Sequence, residues 1–253
     1  IVGSGNYSLK LGDAVTGYLA ERARFFVHIP PGSSAYSLIY RYAIVLENPG
    51  GHPPDVQPMF EVKAYDSLSG GAVPVTPCAV FTFTADATAP SYGFYISKHP
   101  GSSASNPIWC KPWTTASINL SGLGGTTIGV DFTVADCGYG GHFGYAYIDM
   151  TCGLFAINVN TCNDTVASLN APDGFQQYDW YDSTTFSIYY GGGQSITLPL
   201  PPYPTTYAVI ITPFASGGCR DTLYTRIAPS HLVVKSRGDT SVCLGKHAFL
   251  NAG

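Results

Sequence analysis

An all-β fold, a β-sandwich followed by an Ig-like β-sandwich and the start of a further Ig-like repeat, is what this sequence predicts, and three observations carry the prediction. Glycine (29), proline (19) and tyrosine (18) are abundant while charged residues make up only 11% of the 253, so the chain uses the vocabulary of strands and turns rather than of helices. Short alternating or aromatic-rich runs recur along the whole length, separated by breaks rich in Gly, Pro and Ser. The seven cysteines contain no Cys-x-x-Cys pair and no zinc-type Cys/His spacing, which reads as a disulfide framework in an oxidising, extracellular or outer-surface setting.

The elements follow in order. Strands are expected at Phe25 to Ile29, Leu38 to Leu46, Met59 to Tyr65, Val80 to Thr84, Ala116 to Leu120, Thr127 to Val134 and Tyr145 to Met150, a spacing that suits a sandwich over residues 1–153. Asn48 to Pro58 and Lys98 to Pro107 have the composition of loops. After Cys152 a second rhythm predicts strands at Phe155 to Val159, Thr165 to Leu169, Gln177 to Tyr181, Ser195 to Leu198, Tyr207 to Pro213 and Asp221 to Ile227, an Ig-like module over 154–229. Cys162 and Cys219 with Trp180 between them are similar to an inter-sheet disulfide packed by a tryptophan. From residue 230 the chain echoes the segment around Cys162, so 230–253 is expected to begin another repeat, with the partner of Cys243 beyond Gly253; a free or intermolecular thiol is the alternative.

Function classes are bounded next. A net charge of −4 gives no basis for nucleic-acid binding, and no apolar run is long enough to span a bilayer. Ile1 to Gly5 lack the regions of a signal peptide, so the numbering is expected to start inside a longer precursor. Ile1-Val2-Gly3 matches the new N-terminus of an activated trypsin-like protease, but no Gly-Asp-Ser-Gly and no Ala-His-Cys accompany it, and no His-Glu-x-x-His is present. No catalytic residue is assigned, and the chain is expected not to be an enzyme. Pairs such as Glu47 with Asp136 or Asp149 keep a glycoside hydrolase as a minor alternative.

The segments Tyr7 to Gly12, Tyr40 to Glu47, Gly51-His52, Phe60-Glu61-Val62, Lys111 to Thr115 and Asp136-Cys137 through Gly140-Gly141-His142-Phe143-Gly144-Tyr145 to Asp149 carry a resemblance over most of residues 7–152. This stretch resembles the jelly-roll module of large Bacteroidetes cell-surface adhesins, which carry Ig-like or PKD-like repeats and leave the cell by type IX secretion. The resemblance implies adhesion or gliding motility, with the jelly roll as the ligand-contacting head and the Ig-like repeats as spacers. Its expected partners are a surface glycan or protein, or neighbouring copies in a filament. A passive structural filament or spacer, or a non-catalytic accessory module of a secreted polysaccharide-degrading enzyme, are the other readings. By outline similarity to carbohydrate-binding jelly rolls, a structural Ca²⁺ is expected at Asp149 with Asp13 or Glu21.

Ligand contacts are expected from Trp113, Tyr139, His142, Tyr145 and His52, since sugars stack on aromatic planes and direct hydroxyls to polar neighbours; Trp109 and Phe143 are further aromatic candidates. Gly50-Gly51-His52 and Gly140-Gly141-His142 form a second pattern, able to hold a transition ion if the loops converge, or otherwise to make fixed hydrogen bonds at the rim of the sandwich. Sequence proximity within a module suggests disulfides Cys78 with Cys110 and Cys137 with Cys152, beside Cys162 with Cys219, although four cysteines permit three connectivities. Ser67, Thr165, Ser183 and Thr222 each follow an Asp in the short pattern on which Bacteroidetes attach O-glycans, a pattern also made by ordinary turns.

Overall fold

A computed structural model describes residues 7–32, 36–70, 75, 79–86, 88–120, 122–151, 156–163, 165–213 and 219–228, with the backbone alone at 151, 162 and 163. The expected third repeat over 230–253, with Cys243, lies outside these residues, as do Cys78, Cys152 and Ile1 to Gly3.

Nine strands make the first sandwich: β1 (Leu9–Gly12), β2 (Ala20–His28), β3 (Ser37–Glu47), β4 (Met59–Asp66), β5 (Val80–Thr84), β6 (Tyr95–Ile96), β7 (Ile108–Asn119), β8 (Thr127–Ala135) and β9 (Gly144–Thr151). They form an antiparallel sheet in the order β1-β9-β3-β7-β6 facing another in the order β2-β8-β4-β5. Apart from the two-residue β6, each early strand lies beside a late one, the wrapped double Greek key of a jelly roll. Strict alternation drives the closure. Along β3, Leu38, Tyr40, Tyr42, Ile44 and Leu46 are buried and the residues between them are only half-buried. Across the gap, Phe60 and Val62 of β4, Phe81 and Phe83 of β5 and Phe132 of β8 face them, with Tyr42 5.5 Å from Phe60 and Tyr40 5.1 Å from Phe132, ring centre to ring centre. A core this aromatic holds the Tyr40 and Tyr42 hydroxyls without a hydrogen-bond partner among the described residues, and burial pushes both phenols up, that of Tyr40 well above its ordinary value.

The second sandwich comprises β10 (Asn158–Asn163), β11 (Val166–Asn170), β12 (Gln177–Asp182), β13 (Tyr189–Gly192), β14 (Ser195–Pro199), β15 (Thr205–Thr212) and β16 (Asp221–Ile227). Its sheets run β10-β11-β14 and β13-β12-β15-β16, an Ig-like arrangement around Trp180 on β12, which is fully buried and donates its indole N–H to the Gly193 carbonyl at 2.9 Å. The described residues contain no α-helix, and no helix is long and apolar enough to cross a membrane.

Two of the cysteines depart from the expected framework. Cys110 and Cys137 are free thiols. Cys137 lies in the loop that leads into β9, whereas Thr151 closes that strand at its far end. As a free thiol, Cys137 does not make the expected bond to Cys152, which lies outside the described residues. Cys110 faces outward in the middle of a sheet, in the row Tyr145, Val45, Cys110, Tyr95. Cys219 is disulfide-bonded, but it sits between β15 and β16 and packs with the core of the first sandwich, not with the cluster around Trp180. Cys162 is on β10, an outer strand of its sheet.

That position of Cys219 belongs to a junction. The second sandwich rests on part of the outer face of the five-stranded sheet. The Cys219 N–H donates to the Ser117 carbonyl at 2.9 Å, and the Ser117 hydroxyl donates to the Cys219 carbonyl at 3.3 Å. Asp221 accepts from the Ser37 hydroxyl at 2.6 Å and from the Asn119 amide at 3.0 Å. Arg41 pairs with Asp173, and Gly174 presses on Thr115. Gly174 has φ +91°, and a Cβ there would stand 2.1 Å from Thr115 Oγ1, so only glycine permits this approach.

Candidate functional site

Beyond the junction the outer face of the five-stranded sheet is aromatic. On β9 the inward residues Ala146 and Ile148 belong to the core, which turns Tyr145 and Tyr147 outward. Phe143 stacks on Tyr145 with ring centres 6.0 Å apart and planes 15° from parallel. Tyr145 meets Tyr147 edge-on at 6.0 Å, and Tyr147 meets Trp113 of β7 at 6.4 Å. The Lys10 ammonium of β1 lies 4.8 Å from the centre of the Tyr145 ring. Two of the expected ligand residues, Trp113 and Tyr145, thus share one face. Tyr147, which the sequence reading passed over, links them. Its signal was present in the alternation Tyr145, Tyr147 around two core residues. Trp109, by contrast, is a core residue.

The remaining expected ligand residues meet at the end of the sandwich where the loop after β3 approaches the loop between β8 and β9. The Glu47 N–H donates to the Phe143 carbonyl at 3.0 Å, tying the two chain segments side by side. The β8–β9 connection closes on itself: the Cys137 N–H donates to the His142 carbonyl at 3.0 Å and the Gly140 N–H to the Cys137 carbonyl at 2.9 Å. Gly140 has φ +73°, and its face is covered by the Tyr18 ring, which leaves no space for a side chain.

This closure stacks chemistry-bearing groups. Cys137 Sγ lies 3.4 Å from His142 Nδ1 and accepts the Gly141 N–H at 3.3 Å. The His52 ring is 5.1 Å from that of His142 and 4.7 Å from that of Tyr139. One ligand atom from each of His52, Cys137 and His142 lies within 4.8 Å of the other two, and this is the only such group of three His, Cys, Asp or Glu among the described residues. His52 Nδ1 is buried with no hydrogen-bond partner among the described residues. Gln57 holds the loop by donating to the His52 carbonyl at 3.0 Å. Burial lowers the pKa of His142 below the ordinary imidazole value; the nearby Glu47 carboxylate opposes that shift and His52 adds to it.

The expected calcium ligands are not gathered. Gly12 of β1 pairs with Tyr145, so Asp13 lies near the start of β9, and Glu21 is at the same end, accepting the Gly12 N–H at 3.0 Å. Asp149 is four residues further along β9, about 13 Å at strand rise, where it faces Arg41 across the β3 pairing and keeps one buried oxygen without a partner among the described residues. Asp13 instead accepts the Val15 N–H at 2.7 Å in a local turn. Asp136, considered with Glu47 as an acid pair, is committed to the backbone N–H groups of Gly144 at 3.0 Å and Leu19 at 3.3 Å.

Of the four hydroxyls in the short Asp-Ser/Thr pattern, Thr165 is exposed, while Ser67, Ser183 and Thr222 are half-buried. The acids that precede three of them have structural partners. Asp66 caps the Leu68 N–H at 3.0 Å, Asp182 accepts from Thr185 and Ile188, and Asp221 reaches the first sandwich.

No protein-family model matches the chain, and no curated protein is similar enough to it to count as a match.

Proposed function

We propose that the chain is part of an extracellular bacterial surface adhesin whose first sandwich binds a polysaccharide on its open aromatic face and whose second sandwich serves as a spacer. The observation that supports this reading is the row of Phe143, Tyr145, Tyr147 and Trp113 on the solvent side of β9 and β7. A pyranose ring presents C–H groups on its faces, and these pack on exposed aromatic planes while the hydroxyls remain free to find polar partners. Several sugar units in succession suit such a ladder better than a single small molecule, because the surface is broad. Lys10 and Asp149 border it on the neighbouring positions and supply polar groups for orientation.

The resemblance of residues 7–152 to the jelly-roll module of Bacteroidetes adhesins supports the same assignment and adds gliding motility and type IX secretion as its cellular setting. The polar junction, by holding the two sandwiches together, suits a module that projects a binding head from the cell.

Binding of the full chain to immobilised polysaccharides tests the reading. Tyr145→Ala and Trp113→Ala are each expected to weaken retention about tenfold, the equivalent of one aromatic contact worth about 1.4 kcal/mol. Tyr203→Ala, which removes a ring that is 76% exposed on the second sandwich, is expected to change nothing. Retention that survives both substitutions on the first sandwich, or that Tyr203→Ala abolishes, would sink the assignment.

A further inference from the structure

The loop cluster of His52, Cys137 and His142 has no role in stacking a sugar, and its chemistry points elsewhere. We propose that these three side chains form a binding site for one divalent zinc-class ion, with Cys137 as thiolate, both imidazoles as neutral ligands and the remaining position open to water or an external group.

Ligand type is the first argument. One sulfur and two ring nitrogens form a borderline-soft set that favours zinc and its neighbours over calcium or magnesium, which require oxygen. Distance is the second. Bonds of about 2.3 Å to sulfur and about 2.05 Å to nitrogen at a tetrahedral centre separate the two ligand atoms by about 3.5 Å. Cys137 Sγ and His142 Nδ1 already stand 3.4 Å apart. With all three ligand atoms inside 4.8 Å, a rotation of the His52 ring or a small approach of its loop completes the triangle.

The surroundings supply the rest. The Gly141 N–H donates to Cys137 Sγ at 3.3 Å, an outer contact of the kind that orients a metal-binding sulfur. His52 Nδ1 is a buried nitrogen with no partner among the described residues, an arrangement that costs stability unless something occupies it. A catalytic Cys-His pair is the rival use of the same two residues, but Cys137 is 0% exposed and offers no surface for attack on a substrate. Tyr139 is 58% exposed and packs edge-on against the His52 ring at the edge of the cluster.

The inference stands apart from polysaccharide binding, since neither set of ligands includes the other's residues, and each can fail while the other holds. Its test is titration of the full chain, stripped with chelator and kept reduced, with Co(II) as a spectroscopic substitute for zinc. One Co(II) per chain is expected, with the intense near-ultraviolet band of a cobalt–thiolate bond and visible bands of a tetrahedral site, both displaced by Zn(II). Cys137→Ser should remove the thiolate band, and His52→Gln and His142→Gln should each weaken binding by at least about tenfold, since even outer-shell changes at such sites cost that much. Cys110→Ser should leave the titration unchanged, because that thiol lies in the middle of the sheet, away from the loops. The proposal is overturned if the wild-type chain takes up no stoichiometric Co(II), if the thiolate band persists in Cys137→Ser, if neither histidine variant weakens binding while both remain folded by circular dichroism, or if Cys137 is already in a disulfide in protein recovered from an oxidising compartment.

Discussion

The outer face of the five-stranded sheet divides into two halves made of the same strands. Toward one end, Ser37, Arg41, Thr115, Ser117 and Asn119 carry small or hydrogen-bonding side chains, and the second sandwich covers them. Toward the other, the outward positions are Phe143, Tyr145, Tyr147 and Trp113; Tyr147 is exposed and the other three are half-buried. The β3–β7 pairing runs through both halves, with one bulge beside Trp113, and side-chain chemistry separates them. Small polar groups let a second backbone come within hydrogen-bonding distance, whereas large rings keep it away and remain available for a ligand. The sealed half is therefore the more sensitive to substitution in stability, and the open half in binding.

The largest effect that would break this contrast comes from Gly174. Gly174→Ala combines a left-handed backbone position with a Cβ only 2.1 Å from Thr115 Oγ1, and it should lower the stability of the full chain by about 2–4 kcal/mol, read by urea unfolding. It should also open the segment around residue 174 to protease while polysaccharide retention persists. Asp221→Ala comes next. It leaves the Ser37 hydroxyl and the Asn119 amide without their acceptor in a partly buried junction, for an expected loss of about 1–3 kcal/mol. A loss no larger than that of an ordinary surface substitution would show that the two halves differ less than the geometry implies.

The smallest effect sharpens the comparison from the opposite side of the sandwich. On the outer face of the four-stranded sheet, Asp131 accepts two hydrogen bonds from Arg24 at 2.7 and 2.8 Å and one from the Tyr65 hydroxyl at 3.2 Å, with Arg22 at 3.8 Å. The Arg24 hydrogen bonds, foremost, hold its carboxyl below the usual value of 3.8. A depressed folded-state pKa adds stability that is present above the unfolded-state value and disappears as pH falls through the folded-state value. The stability difference between the wild type and Asp131→Asn should hence be constant from neutral pH down to about 4 and shrink below it, as denaturation curves at stepped pH would show. A difference that does not vary between pH 7 and 3 would mean that the charge of Asp131 adds nothing.

Much of the fold was legible because burial on one face leaves a period-two trace. Val80–Thr84 and Asp221–Ile227 coincide with the strands found, and β3, β4, β8 and β9 differ from expectation by a residue or so at their ends. The failures share a cause. The first half of β7 was missed because a bulge against Tyr42 and Ile44 and the run Cys110-Lys111-Pro112-Trp113 interrupt the alternation. The edge strands β1 and β6 have too few residues to show a period. At the loop cluster, the two Gly-Gly-His segments were visible as a pair. Cys137 was not read with them, because a Cys-x4-His spacing joined to a histidine 85 positions earlier has no counterpart among short metal motifs.

What this sequence determined by itself was local: all-β composition, alternating faces, glycine-punctuated turns and two successive modules, since each arises from interactions among residues close along the chain or from the simple partition of apolar side chains out of water. Only the tertiary structure decided which thiols remain free, where Cys219 packs, which acids stand apart and which imidazoles meet a sulfur. Those outcomes depend on the register between strands distant in sequence, where a shift of a single residue turns every side chain to the other face.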